Sequence, residues 1–193
     1  MPDTKKKLKI RTYGDPVLRE KAKAMKRTDV TDSFREFVLS MGETMYDANG
    51  VGLAATQVGD LRRFFVADVA QVVGDEKKKR RKDPARRELI AYINPEIIES
   101  SAEDEEYLEG CLSIPEVDAE VYRPSRIRIR YRDLDWNENE LWAEGLLARV
   151  YQHELDHLDG VLFIDRIGDA ARSKIAGKLS SIKKRTDDER NGR

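Results

Sequence analysis

The only two histidines of the chain, His153 and His157, stand four residues apart in "QHELDH", with Glu154 directly after the first. Residues i and i+4 are neighbours on a helix, so two imidazoles so spaced can aim ring nitrogens at one divalent cation. At about 100° per residue from Leu146, Val150 falls near ~40°, His153 near ~340°, His157 near ~20° and Glu154 near ~80°. Both histidines share the apolar stripe, with Glu154 at its edge. Arg149, Gln152, Asp156 and Asp159 fall on the opposite side and read as a solvated face. Two hydrogen-bonded core histidines are the plainer alternative, but the spacing and the intervening glutamate together outweigh it.

A catalytic metal site of this type takes three protein ligands and keeps a further position for water. One peptidase pattern, HExxHxxGxxH, supplies the third from a histidine six residues after the second. Gly160 fills the glycine slot, but position 163 is phenylalanine. Another pattern takes a glutamate from a downstream helix, yet no glutamate occurs from Asp165 to Thr186, and Glu189 sits near the end of the chain. The remaining soft ligand is Cys111, the single cysteine, in "EGCLSIP". A lone cysteine is by itself more often inert and buried, but beside two histidines lacking a partner the ligand reading prevails. Mixed thiolate and imidazole ligation suits zinc, iron, cobalt or nickel, and spacing does not choose among them.

These groups need a frame. The segment "GLLARVYQHELDHLDG" is the helix that carries the histidines. Phe34, Phe37, Val38, Met41 and Met45 recur at helical spacing, with Thr31 or Asp32 to cap the start and Asn49-Gly50 to stop the end, so an amphipathic helix is expected just before "GVGLAATQ". "RRFFVADV" and "ELIAYINPEII" read as strands. In "RIRIRYR", Ile127, Ile129 and Tyr131 alternate with arginines as a strand with one buried face would, and a turn at "DLDWNENE" leads to the strand "LWAEG". Ile175, Leu179 and Ile182 mark a last helix with a basic end.

A single domain is expected over residues 1–185, with a basic loop insertion at 75–88 and a disordered tail at 186–193. The net charge is −1 although 38% of residues are charged, so no general attraction to DNA or to a membrane surface is expected. The opening "MPDTKKKLKIRTYGDP" has no apolar stretch behind its charges, no segment approaches a membrane span, and one cysteine excludes an internal disulfide. These features together predict a cytoplasmic protein.

Three separated stretches, "GVGLAATQ" (50–57), "EGCLS" (109–113) and "QHELDH" (152–157), resemble the signature motifs of peptide deformylase in order and spacing, and "GDPVLRE" is similar to that family's opening. The resemblance spans about residues 10 to 168. It implies an α+β fold of mostly antiparallel strands around a central metal-binding HExxH helix, with an N-terminal amphipathic helix and a C-terminal helix. It also implies Cys111, His153 and His157 as metal ligands, Glu154 as acid/base, and Gln57 with the backbone N–H of Leu112 as donors to the developing oxyanion.

The implied activity is metal-dependent removal of the formyl group from the N-terminal formyl-methionine of newly synthesised proteins, with release of formate. Fe2+ is implied in the cell, with Zn2+, Ni2+ or Co2+ accepted by purified protein. Gly52 is placed to hydrogen-bond an extended substrate as an added strand, and Val51, Leu146 and Val150 are candidates for the wall of the methionine pocket, although core packing explains them equally well. Glu109 and Arg123 match family positions as well, and either pair to orient the cysteine loop or lie at the surface. Asp118 is acidic where relatives often carry a basic residue. N-formylmethionyl nascent peptides are the expected partners, and Lys174, Lys178, Lys183, Lys184 and Arg185 suit the last helix to ribosomal RNA phosphates. The alternatives are a metallopeptidase cutting internal amides and a non-catalytic domain with a structural metal.

Overall fold

The first α-helix begins at a capping residue. In a computed structural model that describes residues 7–68 and 87–192, helix α1 (Asp32–Asp47) begins at Thr31, whose hydroxyl accepts from the Phe34 N–H at 3.2 Å. It stops before Asn49, whose φ of 58° lies in the left-handed region that asparagine tolerates. Phe34, Val38, Met41 and Met45 form its buried face. The expected basic insertion at 75–88 lies outside the described residues except for Arg87 and Glu88.

Among the described residues seven strands follow: β1 (Gly52–Ala54), β2 (Phe64–Asp68), β3 (Leu89–Ser100), β4 (Asp104–Cys111), β5 (Ile114–Pro124), β6 (Arg126–Arg132) and β7 (Glu138–Glu144). Five form an antiparallel sheet in the order β1-β2-β3-β6-β7, and β4 pairs with β5 in a separate hairpin. Every residue of β2 is buried because both sheet faces are covered. Phe64 and Val66 pack with α1, while the alternate residues Phe65 and Ala67 pack with helix α2 (Gly145–Leu158). Tyr92 stacks on Phe65 at 4.7 Å and meets the Tyr151 hydroxyl of α2 at 2.5 Å. A third cluster joins Ile114, Val117, Ala119 and Val121 of the hairpin to Phe163, Leu179 and Ile182. This α+β arrangement holds α2 between the large sheet and the hairpin, and among the described residues no helix is long and apolar enough to cross a membrane.

Two expectations need correction. The last helix, α3 (Asp169–Arg190), runs through residues 186–190, where a disordered tail is expected from composition. The N-terminal segment supplies the missing partners: Thr12 and Thr186 share a hydroxyl hydrogen bond at 2.6 Å, and Lys9 pairs with Glu189 at 2.7 Å. The basic end is thus followed by a further turn carrying Asp187, Asp188 and Glu189. Arg149, Gln152 and Asp156, read as solvated, are buried at 5%, 7% and 8% exposure, and of that face only Asp159 is exposed. The β4–β5 hairpin lies over it and supplies polar partners: Arg149 donates to the Val121 carbonyl at 3.0 Å, and the Gln152 amide donates to the Pro124 carbonyl at 3.0 Å.

Candidate functional site

β4 ends at Cys111 with a slip in pairing between Gly110 and Cys111, a bulge that delivers the thiol to the hairpin's closed end beside α2. A Cβ at Gly110 would meet only the Val117 carbonyl oxygen, at an ordinary 3.8 Å, so the turn does not depend on glycine there. From α2, His153 and His157 present rings 4.9 Å apart at 77°. One ligand atom from each of Cys111, His153 and His157 lies within 4.8 Å of the others, and the thiol sulfur is 3.1 Å from His157 Nε2. That spacing, from a mixed sulfur and nitrogen donor set, suits a single small divalent cation. Phe163, in the slot where a peptidase would carry its third histidine, packs its ring near His153 at 6.3 Å.

The ring of His153 is oriented from behind. Its Nδ1 is 2.9 Å from Glu109 Oε2, so Nδ1–H donates to the carboxylate and Nε2 is left for a cation. Glu109 also accepts from Arg123 Nε at 2.7 Å, Arg123 Nη2 at 2.9 Å and Arg149 Nη1 at 2.8 Å. Arg123 continues to Asp156, which in turn holds Arg166. Glu109 and Arg123 thus pair and are nearly inaccessible, whereas Arg149 and Asp156 were missed as members of the network. A helical wheel shows which residues share a face and not what covers that face. The balanced charges Arg123 and Arg149 against Glu109 and Asp156 were the available signal.

Burial alone would raise the Glu109 carboxyl, but hydrogen bonds from His153 and Arg123, with their charges, hold it well below the usual carboxylate range. Burial opposes Asp156 ionisation too, and is overcome by the Arg166 hydrogen bond and the Arg123 charge. A carboxylate with a depressed folded pKa adds stability that is present above its unfolded value, about 4, and is lost as pH falls through the folded value. Metal-free protein is therefore expected to melt at steeply lower temperature as pH drops below about 4. Glu109→Gln should flatten that acid limb, and an unchanged pH slope of the melting temperature in that variant would count against the assignment.

Glu154 is buried, and its Oε2 has no hydrogen-bond partner among the described residues. Burial pushes its carboxyl up to about 7, against the lowering charges of His153 and His157. Burial likewise opposes ionisation of Cys111, but the His157 charge and hydrogen bonds from both histidines hold the thiol well below its ordinary range, as a thiolate ligand requires. A Cβ at Gly52 would stand 2.5 Å from Glu154 Oε1 and 3.0 Å from its Cγ, so a larger residue there would displace the Glu154 carboxylate. Gln57 is fixed at both ends of its amide: Oε1 accepts from the Ala54 N–H at 2.8 Å, and Nε2 donates to Ser113 Oγ at 3.1 Å and lies 3.6 Å from the Cys111 sulfur. Ser113, which sequence reasoning assigned no role, is the last residue of "EGCLS".

One cleft of about 860 Å³ is lined by Val51, Gly52, Gln57, Cys111, Leu112, Leu146, Val150, His153 and Glu154. Of the residues singled out from the sequence for the site, His157 and Arg123 do not line the cleft; both are buried, and His157 reaches the cluster from α2. Such an arrangement offers a cation site, a proton acceptor and an amide donor at the side of an apolar cleft.

Comparison with known proteins places this cleft in context. The sequence profile described as polypeptide deformylase matches residues 7–173. A peptide deformylase of Fusobacterium nucleatum is 43% identical over 178 residues, covering 92% of this chain and 94% of the relative. One of Thermotoga petrophila is 45% identical over 174 residues, covering 90% and 95%. Among solved structures, a plant peptide deformylase superposes with a TM-score of 0.84 at 34% identity, covering 96% and 94%, and that of Thermotoga maritima with 0.73 at 43% identity, covering 84% and 99%.

Proposed function

The chain belongs to the polypeptide deformylase family, and from that premise we propose which of its residues carry out the removal of the formyl group from formylated nascent peptides. The enzyme is a hydrolase of the family's metal-dependent kind, and formate is the second product. The observation that carries the residue assignment is the convergence of Cys111, His153 and His157 ligand atoms within 4.8 Å beside the unpartnered carboxylate oxygen of Glu154. On this account α2 is the central helix of the site, its two histidines and Cys111 hold one divalent cation, and Fe2+ is the ion in the cell. The cation, when bound, supplies Lewis-acid polarisation of water and of the formyl carbonyl.

The chain's own groups do the rest. Glu154 takes a proton from the attacking water and returns it to the departing amine, a role suited to a buried carboxyl that lines the cleft beside the ligand cluster. The Gln57 amide nitrogen and the Leu112 main-chain N–H donate to the oxygen that becomes negative in the tetrahedral state. Because the Ala54 N–H already fixes the amide's oxygen, the nitrogen end is pre-aimed and does not have to reorganise. Val51, Leu146 and Val150 form the wall for the methionine side chain, and the substrate backbone runs along Gly52. The substrate's origin at the ribosome puts the enzyme in the cytoplasm, where the lysines of α3 face RNA phosphates.

Gln57→Ala is expected to lower kcat about a hundredfold or more, with KM less affected, because the lost donor acts mainly in the transition state. Steady-state kinetics on formyl-Met-Ala measure this, and a change confined to KM would contradict the assignment. The function itself is tested by offering metal-loaded protein formyl-Met-Ala, acetyl-Met-Ala and an internal peptide, then assaying formate and free amine. Formate from the first and no cleavage of the others is expected. Folded, metal-loaded protein that releases no formate would defeat it.

A further inference from the structure

We propose that the mouth of the cleft selects nascent chains with basic residues shortly after the formyl-methionine, and that Asp118 is the specificity-determining residue, assisted by Glu116. The proposal rests on the deformylase reading above and extends it to the residues downstream of the reacting end. The charges inside the cleft are already spoken for: Glu109 and Arg149 pair with each other at 2.8 Å, and His153 and Glu154 belong to the reacting centre. Glu116 and Asp118 also line the cleft, are exposed, and make no side-chain hydrogen bond or ion pair among the described residues.

The hairpin register explains why Asp118 stays open. It stands directly across from Gly110, which has no side chain to cover the carboxylate. The next outward residue of β5, Glu120, stands across from Leu108, which is 68% exposed and also lines the cleft. Outward residues on one strand are about 7 Å apart, the same repeat as alternate side chains of an extended peptide. The cations on neighbouring elements are few. From α3, the Lys178 ammonium bonds the Glu116 carbonyl at 2.9 Å, and Lys178 and Arg185 share a small groove with Glu116. They weaken the Glu116 charge and leave Asp118 dominant.

A second observation marks where the bound chain starts. Glu154, whose Oε2 has no hydrogen-bond partner among the described residues, lines the same cleft and marks its reacting end. The cleft's 860 Å³ is more than a formyl-methionyl residue fills, and residues 115–118 line the space left for the residues that follow.

The test is a set of amidated peptides, formyl-Met-Ala-X-X-Ala, with X as Lys, Gln or Glu; paired X residues present one side chain to the wall whichever way the strand faces. At low salt kcat/KM should follow Lys, then Gln, then Glu, with about fivefold or more between the extremes. The difference should sit in KM, because an ion pair remote from the reacting atoms acts alike in ground and transition states. In roughly 0.5 M KCl, where charges are screened beyond about 4 Å, the spread should collapse. Asp118→Lys should invert the order. Equal kcat/KM across the series at low salt, or a Lys preference that survives Asp118→Lys, overturns the inference while deformylation of the Gln peptide leaves the deformylase reading standing. Failure to deformylate the Gln peptide overturns both.

Discussion

Replacing Glu154 by glutamine is expected to leave a folded, metal-loaded protein that releases formate about a thousandfold or more slowly. The exchange keeps the volume of a side chain packed against Gly52 and keeps an oxygen in place, but it removes the proton acceptor. General acid–base catalysis is typically worth about a hundredfold to ten-thousandfold, and here one group serves both as base toward water and as acid toward the amine. Burial raises this carboxyl to about 7 in the absence of a cation, and a bound cation draws it back down. The ionised form is the active one, so kcat/KM of the parent enzyme should fall as pH drops through that lowered value. In Glu154→Gln the same limb should vanish. Metal content and melting temperature show whether the variant is intact, and formate release measures the loss. Activity within about tenfold of the parent would mean that another group moves the proton.

Arg123→Ala should cost about 3 kcal/mol of stability, at the lower end of the range for breaking a buried ion pair. Arg123 is 2% exposed and gives both Glu109 and Asp156 part of their compensation. Its removal does not strip either carboxylate entirely, since Arg149 and His153 remain on Glu109 and Arg166 remains on Asp156. In a chain of this size that loss lowers the melting temperature by roughly 6 to 12 °C. Metal affinity should weaken as well, because Glu109 orients His153. Differential scanning calorimetry and metal titration separate the two effects. A melting temperature unchanged within a degree or two would show that the network adds nothing net.

The helices were legible because their signals are local. Thr31, the Phe34 to Met45 stripe and Asn49 state where α1 begins, which face it buries and where it ends. The strands "RIRIRYR" and "RRFFVADV" were legible through alternation and apolar content, although β2 being covered on both faces depends on two distant helices. At the site, elimination among scarce residue types pointed to Cys111, and the structure gathers it with the histidines. What escaped was decided by packing between distant segments. Arg149 and Asp156 look like ordinary solvated helix residues until a hairpin 30 to 50 positions earlier in the chain covers them. Thr186 and Glu189 look like a polar tail until Thr12 and Lys9 meet them. Ser113 carries no signal of its own beyond its place in a motif, yet it is the residue that holds the Gln57 amide.

X-ray absorption at the metal edge of the loaded enzyme tests the central claim most directly. One sulfur and two imidazole nitrogens around a single ion are predicted, with the sulfur lost in Cys111→Ser and the full set retained in Glu154→Gln. A first shell without sulfur in the parent protein, or one that changes with Glu154, would contradict the assignment.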